Sequence, residues 1–273
     1  MAVESEAFTE LGDEFALVAE TAAEAGIATG SLPRVRRNWV NVPTGGHVSG
    51  VFWGDGPPEV VFLHDIGESA RAWDAVALAF GHPSVAIDLP GHGRSDWRRD
   101  GRYEPGKLAP AVGEAIRSFA PRAQLVVGSG LGGRTALALR RRQPRLVPRL
   151  GLVSAPDHSW PGAERFASPA EAVAALAARR PERSDQSLRR EVQYELIRDE
   201  DGSWAWRHHP GNLAPAGHTG GTDEPPSSEL GQLAPDVQII TIPGGGADPV
   251  ATQPAALAAA LDQLLTTAPE GRT

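Results

Sequence analysis

Four short apolar runs constrain this chain most: residues 60–63 (Val-Val-Phe-Leu), 85–87, 125–127 and 150–153. Each is too short for a helix, and none shows the polar alternation of a strand with one wet face. They read as strands buried on both sides. Helical spacing fills the gaps, at 70–80, 108–119 and 131–142, and again at 254–265 after a fifth run at 237–242. Strands that alternate with helices predict an α/β fold, with a mainly parallel sheet and helices on both faces. A hairpin is expected at 36–42 and 48–53, split by Thr44-Gly45-Gly46. Residues 161–210 break the alternation. Two helical patterns, 168–179 and 184–198, precede a turn and a short strand at 204–206, which predicts a small helical lid. Gly and Pro interrupt 211–228, where a loop is expected.

Three units follow: an acidic N-terminal helix over 1–30, an α/β core over 31–160 and 211–273, and the inserted lid over 161–210. The net charge of −8 is concentrated at the start, where Glu4, Glu6, Glu10, Asp13, Glu14, Glu20 and Glu24 meet no Lys or Arg before Arg34. No basic stripe suits nucleic acid, and no apolar run reaches the ~18 residues of a membrane span. Arg140, Arg141, Arg142, Arg145 and Arg149 cluster at a helix end, where cations complement the dipole. The absence of Cys excludes disulfides, thiolate metal sites and a Cys nucleophile. His208, His209 and His218 lack a companion ligand cluster, so neither a metal nor a cofactor is expected. The opening residues carry no apolar signal-peptide core, which points to the cytoplasm.

Three segments carry a resemblance: Phe62-Leu63-His64-Asp65-Ile66-Gly67 with Trp73-Asp74 after it, Ile87-Asp88-Leu89-Pro90-Gly91-His92-Gly93-Arg94-Ser95-Asp96, and Val127-Gly128-Ser129-Gly130-Leu131-Gly132-Gly133. Together they resemble the α/β-hydrolase family. The first looks like its oxyanion loop, the second like its D-x-P-G-x-G-x-S turn, and the third like its G-x-S-x-G nucleophile elbow. The resemblance implies an α/β-hydrolase fold and two backbone oxyanion donors, the N–H groups of Ile66 and Leu131. The Gly128–Gly133 string is not spaced as a dinucleotide loop.

Two positions depart from the family pattern. Gly130 falls where the nucleophile belongs, with Ser129 one residue early. Ala247, in Ile242-Pro243-Gly244-Gly245-Gly246-Ala247-Asp248, falls where the His belongs. Asp223 is the nearest acid in the eroded loop, and Asp157 follows the strand at 150–153. Glycine tolerates the positive φ of such an elbow without strain. The resulting expectation is a triad-less protein that is not a hydrolase: an isomerase that exchanges a Cα proton through an enolate held by the two donors. It would be similar to the triad-less peptide aspartate epimerase of bottromycin biosynthesis, with its base supplied by the protein or by the substrate. Two alternatives stand beside it, a pseudoenzyme that binds a ligand and a residual hydrolase with a displaced nucleophile such as Ser129.

Asp65 stands where the family usually has Gly, and is read as structural or solvent-facing, or in the pocket as an amine ligand or a base. His64, Asp65, Ser129, Trp73, Trp160, Phe166, Trp204 and Asp248 are the candidate substrate contacts. The aromatic members suggest a hydrophobic small-molecule ligand, and the epimerase resemblance implies a modified peptide.

Overall fold

The computed structural model describes residues 13–44, 46–153, 164–210, 237–243 and 248–266. A seven-stranded sheet is built in the order β1 (Val35–Asn41), β2 (His47–Trp53), β4 (Ser84–Ile87), β3 (Val60–Leu63), β5 (Leu125–Ser129), β6 (Leu150–Val153), β10 (Val237–Ile240). The β1–β2 and β2–β4 pairs are antiparallel, and the remaining pairs are parallel. The apolar runs thus occupy the interior of the sheet, where β3 and β4 are buried at every residue.

Alternate residues of each strand feed opposite layers. Val61, Leu63, Val85 and Val126 pack towards α3 (Pro105–Phe119) and α4 (Gly130–Arg142). Val60, Phe62, Ala86 and Val127 pack towards α1 (Val18–Glu24), α2 (Asp74–Phe80) and the C-terminal helix. That last helix, α8 (Pro254–Thr266), follows a single turn, α7 (Pro249–Thr252). Two members of the arginine cluster hold backbone carbonyls: Arg140 donates to Pro148 O at 3.0 Å and Arg149 to Leu265 O, in the last turn of α8, at 3.3 Å.

The lid has its own small core of Phe166, Leu176, Leu188, Val192 and Trp206. Helix α5 (Pro169–Arg179) is capped by Ser168, whose Oγ accepts Glu171 N–H, while Glu171 Oε2 accepts Ala167 N–H just before the cap. Helix α6 (Asp185–Glu195) is capped by Ser184, which accepts Ser187 N–H. The helical pattern expected to reach 198 ends at Glu195. Leu196–Arg198 (β8) instead pairs with Trp204–Trp206 (β9), which also pairs with Arg165–Phe166 (β7). Strand pairing across the turn at Gly202 outweighs a local preference that Ile197 holds only weakly. The loop expected at 211–228 lies outside the described residues.

The described part of the acidic N-terminal segment joins lid to core. Glu24 accepts from Arg190 and Ser184 of the lid, and Glu14 accepts from Arg37 Nε at 2.9 Å and pairs with Arg94 Nε at 3.0 Å. Among the described residues no helix is long and apolar enough to cross a membrane, and no cluster of His, Asp and Glu suits a metal ion.

His208, at the end of the lid, is buried beside Trp206, and burial pushes its pKa down to about 4. Unfolded, it takes up a proton near its ordinary value of about 6.5. The His208 contribution to stability is therefore expected to fall as pH drops from about 6.5 towards 4, because only the unfolded chain binds that proton. Raised carboxylates such as Glu195 act in the opposite direction, so the difference in melting temperature between wild type and His208→Gln across this interval checks the sign.

Candidate active site

The strand β5 ends at Ser129 and α4 begins at Gly130, so the chain reverses in one residue. Gly130 takes φ +43°, in the left-handed region. Non-glycine residues pay about 1–2 kcal/mol there. The flanking glycines let the turn sit tightly: a Cβ on Gly132 would collide with the carbonyls of Leu63 and His64, and one on Gly128 with the backbone of Gly133. The elbow geometry of the sequence motif is present.

The space beside Gly130 is filled. A Cβ built on Gly130 would overlap Cγ and both oxygens of the Asp65 carboxylate. Asp65 Oδ1 accepts the N–H of Leu131 at 2.6 Å and the N–H of Ile66 at 2.7 Å. These are the two backbone donors the motifs identify, and one carboxylate oxygen takes both. Such charge-assisted bonds are among the stronger ones a backbone makes. Asp65 is 4% exposed, which rules out the solvent-facing reading.

The loop that carries Asp65 is braced from behind. Leu89 N–H donates to His64 Nε2 at 3.0 Å, so the proton lies on Nδ1, which donates to Asp65 O at 2.7 Å. Burial lowers the pKa of His64 and keeps the ring neutral, although Asp88 opposes the shift. With both nitrogens engaged, His64 positions the loop rather than contacting a substrate. The next turn rests on Asp88, which accepts from Arg37 Nη1 (2.5 Å), Ser49 Oγ (2.9 Å), Ala70 N (2.7 Å) and Arg94 N (3.1 Å).

Glu68 adds a second carboxylate, one the sequence reading missed. Its Oε2 accepts Asp65 N–H at 3.1 Å. Burial, helped by the Asp248 and Asp65 charges and opposed by Arg180, pushes its pKa up to about 8. Asp65 and Glu68 have the D-x-x-E spacing of a capping box, the one signal that could have found it. Glu68 borders a cleft of about 600 Å³ between core, lid and α1, lined also by Arg71, Asp74, Arg190, Tyr194, Glu195 and Asp248. Burial raises the pKa of Glu195 to about 7.

The other candidate residues scatter. Asp248 caps α7 by accepting Ala251 N–H at 3.2 Å and faces the cleft. Ser129 is buried at the strand end, and among the described residues no hydrogen bond joins its hydroxyl to an imidazole. Trp73 is fully buried and stacked on Phe62, so it belongs to the core. Phe166 packs against Trp206 inside the lid. Trp204 borders a second, smaller cleft with Arg37, Arg94 and Arg207. Trp160, Asp157, His218, Asp223 and Ala247 lie outside the described residues. Charged side chains such as Glu68, Arg71 and Asp74 thus line part of the larger cleft, and Trp73, Phe166 and Trp204 do not.

This strand–elbow–helix core with a paired backbone donor site defines an α/β-hydrolase scaffold. The chain belongs to the Alpha/beta hydrolase family, whose model matches residues 60–271. It is 39% identical over 213 residues to the esterase Rv0045c of Mycobacterium tuberculosis, covering 72% of this chain and 70% of that protein. The crystal structure of that esterase superposes with a TM-score of 0.76 at 33% identity, covering 93% of this chain and 98% of the other. The pimeloyl-[acyl-carrier protein] methyl ester esterase of Sodalis glossinidius is 36% identical over 122 residues, covering 41% of this chain and 45% of that protein. A thioesterase domain from the curacin biosynthetic pathway shares the fold, with a TM-score of 0.68 at 20% identity and coverage of 86% of this chain and 100% of the other.

These relatives overturn the expectation of a triad-less isomerase or peptide epimerase. A relative 39% identical over 72% of this chain is an esterase. The error has a physical reason. The expectation treated Gly130 as a vacancy, yet the Asp65 carboxylate of another loop occupies the space beside it.

Proposed function

We propose that the chain is a hydrolase of carboxylic esters in which the Asp65 carboxylate occupies the elbow, where the side chain of residue 130 would stand. The observation that carries this reading is the overlap of that carboxylate with the missing side chain, together with its hold on both backbone donors. The similarity to a named esterase supports the reaction class. The cleft that Glu68 and Asp248 line reaches the Asp65 loop through Glu68, which accepts the Asp65 N–H.

A panel of 4-nitrophenyl esters tests the reading. The full chain is expected to release nitrophenol above the uncatalysed rate. Asp65→Asn, which keeps size and one acceptor, is expected to lower kcat by roughly 10²-fold or more, the scale of losing a positioned proton-transfer or attacking group. Ser129→Ala is expected to leave turnover in place. The reverse pattern, with loss at Ser129 and none at Asp65, favours the displaced-hydroxyl alternative.

A further inference from the structure

Resting on the hydrolase reading, a finer point follows from how Asp65 spends its two oxygens. Oδ1 is fixed between the Ile66 and Leu131 N–H groups, whereas Oδ2 is bonded to no described group. An acyl oxygen from a substrate finds the donor pair already taken. A covalent adduct made through Oδ2 does not have this difficulty, because its Asp65 carbonyl oxygen is already in place between the donors.

We propose that Asp65 is a covalent nucleophile, and that Glu68 carries the proton that the two half-reactions exchange. In the first, Oδ2 attacks the acyl carbon of the ester and the bond from that carbon to the alcohol oxygen breaks. A mixed anhydride forms between Asp65 and the acyl group, and protonated Glu68 gives its proton to the departing alkoxide. In the second, the Glu68 carboxylate takes a proton from water and the hydroxide adds to Asp65 Cγ. Charge collects on Oδ1 between the two N–H groups. The acyl group then leaves as a carboxylate, and Asp65 releases its proton to solvent. The sum is ester plus water giving alcohol, carboxylate and one proton.

Glu68 suits this exchange. It reaches the Asp65 backbone N–H at 3.1 Å, and with its pKa near 8 it holds a proton at neutral pH. The first step lacks free oxyanion donors, so esters with a good leaving group, aryl and thiol esters, are expected to turn over faster than simple alkyl esters, which depend on the Glu68 proton.

A single turnover in H₂¹⁸O, with the full chain in excess over 4-nitrophenyl acetate, tests the route. One ¹⁸O in the peptide that contains Asp65 is the expected result. Label confined to the released acetate overturns the attack of water on Asp65 Cγ while leaving the hydrolase reading standing. No release of nitrophenol overturns both. The Glu68 role has its own readout. Glu68→Gln is expected to slow an alkyl ester of the same acid by roughly 10²-fold, and the aryl ester much less in the nitrophenol burst, because nitrophenolate leaves without a proton. Equal losses on the two overturn the role of Glu68 as proton carrier.

Discussion

Gly130→Ala is expected to destabilise the protein by several kcal/mol, and Asp65→Gly in the same chain to restore a large part of the loss. The added methyl meets two separate costs. At φ +43° an alanine is strained by about 1–2 kcal/mol whatever surrounds it. Its Cβ also overlaps the Asp65 carboxylate, and such overpacking costs about 1–3 kcal/mol unless the neighbour moves. Moving Asp65 strips the Ile66 and Leu131 N–H groups of their acceptor, at about 1–3 kcal/mol for each group left unpaired. Removing the carboxylate first admits water to the donors and empties the space, so only the backbone strain remains. Urea unfolding of the wild type, both single variants and the double variant closes the cycle. A coupling of about 1–3 kcal/mol is expected for side chains in contact. Strict additivity means that the carboxylate does not occupy the elbow.

The same pair shows where sequence reading stops. The sheet was legible because unbroken apolar runs such as Val60–Leu63 need no partner information to be read as buried strands. Ile66 and Leu131 were identifiable as donors because their N–H groups belong to backbone turns that motif glycines enforce. The occupant of those donors was not legible. Gly130 and Asp65 lie far apart in the chain, and neither residue announces the other. A glycine reads as a loss and an aspartate as a charge to be hidden, until the fold puts the second into the space of the first. Strand β8 was hidden for a similar reason, since Leu196–Arg198 takes its conformation from pairing with Trp204–Trp206. The D-x-x-E spacing of Asp65 and Glu68 was local and readable, and only the reversal of burial around Glu68 required the structure.

Asp88→Ala is expected to cost about 3–5 kcal/mol, the range for removing one partner of a buried ion pair and stranding the other. Asp88 is fully buried, and its loss leaves the nearly buried Arg37 guanidinium with only Glu14 and Ser49 Oγ as partners. Ser49 and the N–H groups of Ala70 and Arg94 lose their acceptor as well. Burial alone would raise the pKa of Asp88, but Arg37 first, and then the donated hydrogen bonds, outweigh it and hold the carboxyl below the ordinary carboxylate range. The stabilisation is therefore present above the unfolded pKa of about 3.9 and disappears as pH falls through the lower folded value. The gap in unfolding free energy between wild type and Asp88→Ala is expected to be full at neutral pH and to shrink in strong acid. A gap that does not change with pH sinks the ion-pair account and leaves only packing. The variant also reaches the elbow, because the Asp88–Leu89 turn sets the donor that holds His64, and His64 in turn holds the Asp65 carbonyl. Ester turnover is expected to fall in Asp88→Ala beyond what its folded fraction explains, since a carboxylate displaced by about 1 Å from its place costs on the order of 10²-fold.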